Sequence, residues 1–270
     1  MKRELLTEDT LKLIKERKED SSKGDFGVLL SLCGCETMTG AAYLSSTAAL
    51  RSGLGLLRFC GDEKTLVKMQ SILFEPVFLN IDSISDAKCD AFLCGCGIGR
   101  SYDALLEGIL TSTRVPAVLD ADCINFLSMH MDVLEKIKCP TILTPHPGEM
   151  ARLLQTDIAS IQADREGCAR RFATTHGVYL VLKGKGTVIA EPDGSLYINT
   201  TGSSALAKGG SGDVLAGVIA SLVAQGYDLS LSCRIGVYVH GLAADRLALE
   251  YGKSGVLPSD LPKEIGRIIG

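Results

Sequence analysis

Residues 207–213, Ala207-Lys208-Gly209-Gly210-Ser211-Gly212-Asp213, run straight into VLAGVIASLVAQ (214–225). The second part places apolar residues at Val214, Leu215, Val218, Ile219, Leu222 and Val223. That spacing predicts a helix over 212–225 with one apolar stripe. The first part supplies a glycine-rich entry to it. Glycines let a backbone come close to a ligand, the first helical amides lack partners, and the helix dipole favours negative charge there. Gly209, Gly210, Ser211 and Gly212 are therefore candidates to hold a nucleotide phosphate. Asp213 falls in the first helical turn, where a carboxylate either caps the helix or takes a proton from a substrate hydroxyl. A mobile loop with a capping aspartate would have the same letters.

Upstream, strand and helix patterns alternate. Strands are expected at Phe26–Cys33, Gly55–Cys60, Cys89–Cys94, Pro116–Asp120, Thr141–Thr144 and Val178–Lys183. Helices are expected at Ala41–Ser52, Ser101–Leu110, Glu149–Leu154, Arg165–Thr175 and about Ser232–Tyr251. Alternation of this kind predicts an α/β fold, a mostly parallel central sheet with helices on both faces. Ala41–Ser52 is so poor in bulky side chains that it should pack close to the sheet. Glu191-Pro-Asp-Gly194 between two β-rich runs, TVIA and SLYIN, predicts a small antiparallel hairpin at one end of the sheet. The charged run 12–23 mixes both signs and reads as a solvated N-terminal helix, so residues 1–23 are expected to form a helical extension of one domain spanning 1–270.

Composition narrows the function classes. The chain has 270 residues, 46% hydrophobic and 22% charged, in proportions that suit a folded core rather than disorder. A net charge of -4 without a basic stripe argues against nucleic acid. The N-terminus has no apolar leader, and no apolar run reaches about 18 residues, so neither a signal peptide nor a membrane span is expected. A cytoplasmic protein follows, in which ten cysteines should be reduced thiols. Cys33-Gly-Cys35 and Cys94-Gly-Cys96 could chelate a soft metal, but they are too tightly spaced for an ordinary structural zinc site and read first as small buried thiols.

In an open parallel sheet, ligands bind beyond the carboxyl ends of the strands. Four more polar segments fall there. Lys183-Gly184-Lys185-Gly186-Thr187 could grip a nucleotide through main chain and lysine, or form an ordinary basic turn; it does not fit the Walker A spacing. Gly95-Cys-Gly97-Ile-Gly99 is either a tight turn or a loop passing under a ligand. His146 is fixed between Pro145 and Pro147, which suits an oriented side chain with either a structural or a catalytic role. Asp120-Ala-Asp122 reads first as a helix cap, with a metal or substrate role as the alternative.

Together these motifs resemble the NAD(P)H-hydrate dehydratases, a ribokinase-like repair family. TGAAYLSSTAALRSGLGLL (39–57), LDADCINFL (119–127), TPHPGEMARLL (144–154), VLKGKGTVIAEPDG (181–194) and ALAKGGSGDVLAGVIASLVAQG (205–226) occur in the family's order. The resemblance implies a ribokinase-like fold and an activity: a nucleotide drives dehydration of NADH or NADPH hydrated on its nicotinamide ring (NADHX, NADPHX). ADP would yield AMP and phosphate; ATP would yield ADP and phosphate. It implies nucleotide contacts at Lys183, Gly184, Lys185, Gly186, Thr187 and Gly212. Hydrate contacts would fall at Ala41, Gly97 or Gly99, His146 and Asp213, with Asp213 as catalytic base. It also implies Mg2+, a homotetramer, and a stand-alone form working beside a separate epimerase; the identity of the metal ligands is left open. Departures from the family pattern are Cys33-Gly34-Cys35 for Gly-Gly-Ser, Gly95-Cys96-Gly97 for Gly-Pro-Gly, and Ser203-Ser204-Ala205 for Asn-Pro-Gly. Two other functions share the anion loop: a ribokinase-like kinase for a vitamin precursor or sugar hydroxyl, and a nucleotide sensor without turnover.

Overall fold

The computed structural model describes residues 2–270. In chain order its elements are β1 (Arg3–Leu5), β2 (Val28–Leu32), α1 (Thr39–Arg51), β3 (Leu56–Gly61), α2 (Glu63–Gln70), β4 (Val77–Asn80) and β5 (Ala91–Cys94). There follow α3 (Asp103–Ser112), β6 (Ala117–Leu119), α4 (Asp122–Met129), α5 (Met131–Lys136), β7 (Thr141–Leu143), α6 (Pro147–Leu153), α7 (Ile158–Ala163) and α8 (Arg165–His176). The chain closes with β8 (Tyr179–Leu182), β9 (Val188–Ala190), β10 (Leu196–Ile198), α9 (Ser211–Ala224), α10 (Leu229–Tyr251) and α11 (Leu261–Ile269). All strands join one ten-stranded sheet, ordered β1-β10-β9-β8-β7-β6-β5-β2-β3-β4. Every pairing is parallel except β8–β9 and β9–β10.

Alternation along the strands divides the core. Leu30, Leu32, Leu119, Leu180 and Leu182 face one layer, with residues of α3 to α6 and α8 such as Leu106, Leu127, Leu134, Met150 and Phe172. Leu29, Val118, Ile142 and Val181 face the other, with Ala42 and Ala49 of α1, Ile219 of α9 and Val237 of α10. This is the period-two pattern of a sheet buried on both faces. The small residues of α1 do more than approach the sheet. Ala48 packs outward into a second, helix-only core with Val218, Val239 and Ile265.

Two expectations at the edges are corrected. The segment 12–23 contains no α-helix; the N-terminus forms strand β1 and two 3-10 turns, Glu8–Leu13 and Lys23–Phe26. A run with eight charges in twelve positions and apolar residues only at Leu13 and Ile14 offers no apolar stripe to bury, so tertiary tethers decide its shape instead. Lys15 N–H donates to the Tyr227 hydroxyl at 2.7 Å, and Arg17 stacks on Phe26 at 3.6 Å. The hairpin β9–β10 is antiparallel as expected but does not end the sheet. β1 pairs with β10 in register Arg3↔Leu196 to Leu5↔Ile198. Strand β4 lies at the other edge and carries too short and too exposed a pattern to read from sequence.

The strand order reverses between β2 and β5. From β2 the chain proceeds outward to β3 and β4, and from β5 outward in the opposite direction to β6, β7 and β8. Loops leaving such a junction diverge and open a crevice at the strand carboxyl ends. Here those loops are Cys33–Met38 and Gly95–Tyr102, tied by Gly34 N–H to the Cys96 carbonyl at 2.7 Å.

Candidate functional site

Helix α9 starts where its pattern indicated, with Gly210 as N-cap at φ 102. A side chain at Gly210 would run into Leu44 Cδ1 at 2.5 Å, so glycine is needed both for the left-handed turn and for the close approach of α1. No side chain caps the helix. Asp213 is its third residue and is not used as a cap, which leaves the carboxylate free for chemistry. The Ser211 hydroxyl is buried and has no partner.

The basic loop meets this helix from the far side of the crevice. Lys183 follows β8, its main-chain N–H donates to the Pro145 carbonyl at 2.8 Å, and its ammonium lies 3.2 Å from where a Gly212 Cβ would be. Lys183 Nζ donates to Asp120 Oδ1 at 2.7 Å and lies 3.8 Å from Glu149 Oε2. Burial disfavours the ammonium, yet Asp120 and Glu149 outweigh it and raise the Lys183 pKa. The ammonium is thus a fixed positive charge beside the uncapped start of α9. Lys185 is exposed, and Thr187 donates within its own loop to the Gly184 carbonyl at 2.9 Å.

Asp120 corrects the sequence reading. It caps nothing: α4 has no side-chain cap. Its carboxylate is 1% exposed and accepts from Lys183 and, at 2.7 Å, from the Thr144 hydroxyl. Asp122 does not cap either; it accepts from Gly99 N–H at 2.8 Å and so fixes the loop after β5. Asp120, Cys96 and Asp213 bring one ligand atom each within 4.8 Å of one another. Cys96 Sγ donates to Asp120 Oδ2 at 3.8 Å. Burial, then the charge of Asp120, raise the Asp213 pKa to about 6. Glu149, also part of this network, was missed as a site residue because its spacing reads only as a capping box. It does form that box, accepting from His146 N–H at 2.7 Å while the imidazole Nδ1 accepts from Gly148 and Glu149 amides at 3.0 and 3.3 Å.

His146 is therefore both a helix cap and a rim residue, with its side chain half exposed. Across the crevice, a Gly97 Cβ would stand 2.6 Å from Ala41 Cβ, so Gly97 is buried under α1. Gly99 is the partly exposed one of the two. Lys208, in contrast to Lys183, turns away; its ammonium donates to the Ser254 and Val256 carbonyls. All ten cysteines are free, nine of them buried. Cys94 and Cys123 touch at 3.1 Å beneath the β5 loop.

A switch-point crevice with an uncapped glycine-rich helix start, a partly buried lysine and an aspartate of raised pKa marks a ribokinase-like α/β protein. The chain belongs to the NAD(P)H-hydrate dehydratase family, whose model matches residues 29–267. It is 39% identical over 257 residues to the ADP-dependent (S)-NAD(P)H-hydrate dehydratase of Neisseria meningitidis, covering 92% of this chain and 87% of that protein. It is 38% identical over 265 residues to the bifunctional NAD(P)H-hydrate repair enzyme of Moorella thermoacetica, covering 92% of this chain. The chain spans 50% of that bifunctional relative's length. The crystal structure of the ADP/ATP-dependent NAD(P)H-hydrate dehydratase of Bacillus subtilis, co-crystallised with ATP/Mg2+, superposes with a TM-score of 0.87 at 31% identity, covering 98% of this chain and 97% of that one.

Magnesium does not fit the cluster of Cys96, Asp120 and Asp213 as it stands. The ion favours octahedral oxygen and is usually held by nucleotide phosphates with one or two carboxylates. Here one of three donors is a thiol, and Lys183 already neutralises an Asp120 oxygen.

Proposed function

We propose that the chain performs ADP-dependent dehydration of NADHX and NADPHX to NADH and NADPH, releasing AMP and phosphate. The observation that carries this is the meeting of the Lys183 ammonium and the Asp213 carboxylate at the open N-terminus of α9. The amides of Gly209, Gly210, Ser211 and Gly212 cradle the terminal phosphate of ADP, and Lys183 balances its charge. The loop Lys183–Thr187 holds the rest of the nucleotide. Ala41, the Gly97/Gly99 loop and His146 line the hydrate side. Asp213 takes the proton of the ring hydroxyl as its oxygen attacks the β-phosphorus of ADP and AMP leaves. The ring C–O bond then breaks with its electron pair leaving on inorganic phosphate, and loss of a proton from the adjacent ring carbon to solvent restores the ring double bond. A base with a pKa near 6 is mostly ionised at neutral pH and strong enough to share the proton in the transition state. Mg2+ enters as the counter-ion of the nucleotide, and no step is assigned to it.

The chain acts as one domain from 1 to 270, in the cytoplasm, as a homotetramer beside a separate epimerase. The family match over residues 29–267 supports the single domain. No described helix is long and apolar enough to cross a membrane. The kinase and sensor readings share the anion loop but leave the hydrate-side motifs unexplained. Incubation with ADP and NADHX should restore the absorbance of the reduced nicotinamide, with AMP and phosphate formed in equal amounts. Phosphorylation of a vitamin alcohol from ATP with no action on NADHX would favour the kinase, and ADP binding without turnover the sensor.

A further inference from the structure

The misfit with magnesium points to a different ion. Cys96 Sγ donates to Asp120 Oδ2 at 3.8 Å, and its sulfur groups with donor oxygens of both Asp120 and Asp213 rather than with the apolar core alone. We propose that Cys96, Asp120 and Asp213 form a binding site for a soft or borderline divalent cation, Zn2+ or Cd2+, whose occupation blocks the catalytic carboxylate.

The geometry supports three ligands on one ion. Their donor atoms all lie within 4.8 Å of one another, and Cys96 Sγ is 3.8 Å from Asp120 Oδ2. Tetrahedral zinc, with bonds of about 2.3 Å to sulfur and about 2.0–2.2 Å to oxygen, needs donor separations of roughly 3.3–3.7 Å. Movements of a few tenths of an ångström to about 1 Å close the site, and water completes the coordination. Lys183 does not compete for the same atom. It holds Asp120 Oδ1, whereas Cys96 approaches Oδ2, so ammonium and cation take opposite oxygens of one carboxylate. Two carboxylates, a thiolate and the nearby Glu149 outweigh the single positive charge of Lys183. Softness sets the selectivity: thiolate favours zinc and cadmium over magnesium and calcium.

Cation binding displaces the Cys96 thiol proton to solvent as the metal–sulfur bond forms. No oxidant is required. Asp213, once ligated, cannot accept a substrate proton, so the bound cation stops turnover whatever hydroxyl the enzyme acts on.

The test uses Cd2+ alone, without nucleotide or hydrate. Titration of the full chain should reveal a thiolate-to-cadmium charge-transfer band in the ultraviolet that saturates at one ion per chain. Cys96→Ser should lose the band, and Asp213→Asn should weaken Cd2+ binding by more than about tenfold. Cys123→Ser, which breaks the other close thiol pair, should keep the band. Two results would overturn the site: absence of the band in the wild type, or a band of equal size and affinity in Cys96→Ser and Asp213→Asn. Both readouts are independent of dehydration, so a failure of the proposed reaction would leave them unaffected.

Discussion

Lys183 and Lys208 look alike in the sequence: each precedes glycines and each borders a proposed phosphate loop. The fold gives them opposite tasks. Lys183 leaves the end of β8 into the crevice, stays partly exposed, and is held by Asp120 and Glu149 beside the start of α9. Lys208 sits one residue before that same glycine run but reaches backward to the carbonyls of Ser254 and Val256, tying the loop to the end of α10. A lysine next to glycines is therefore not a phosphate ligand by composition. What counts is whether the strand end or helix that carries it aims it at unpaired amides.

The largest expected effect lies at the acid beside Lys183. Asp213→Ala should lower kcat by about 10²–10⁴-fold while ADP binding and fold stay largely intact, as removal of a general base requires. Activity within a few-fold of wild type would remove Asp213 from the mechanism. Next comes Lys183→Ala. It should weaken ADP binding by roughly tenfold or more and hydrate binding much less, seen by calorimetric titration. Because it leaves Asp120 and Glu149 uncompensated in a buried place, it should also cost about 3–5 kcal/mol of stability. A hydrate-selective loss would reassign the loop.

The pH profile sharpens the same contrast. Asp213, with its pKa raised to about 6, is protonated below that value, so kcat/KM should fall as pH drops through about 6 and level off above it. Asp120→Asn removes a charge that raises Asp213 and frees Lys183, and should move this limb to lower pH. An unmoved limb would mean that another group titrates. The smallest effect belongs to Lys208→Ala. It should lower Tm by a few degrees, worth about 1 kcal/mol, and change ADP affinity less than about twofold.

Much of this fold and site is legible in the sequence. The six central strands, the hairpin and α9 are mostly apolar stretches with glycine, proline or acid nearby, and each lies within a few residues of its expected place. The edges were not. β1 is three residues with two charges, and β4 is four residues open to solvent on one side, so neither shows the pattern of a buried strand. In the site, Asp213 and Lys183 announced themselves through glycine spacing. Asp120 did not, because an acid before a helix is usually a cap. Its partner Lys183 is 63 residues away, and only the parallel order β6-β7-β8 brings them to 2.7 Å. Cys96 was legible as a departure from the family pattern, but not as a neighbour of two carboxylates.

A structure determined with ADP bound is the most direct test. The account predicts the terminal phosphate on the amides of Gly210, Ser211 and Gly212, in contact with Lys183 Nζ, and facing Asp213 across the space for a hydroxyl. A phosphate found against Lys208 or in any other cleft, with the start of α9 bare, would contradict it.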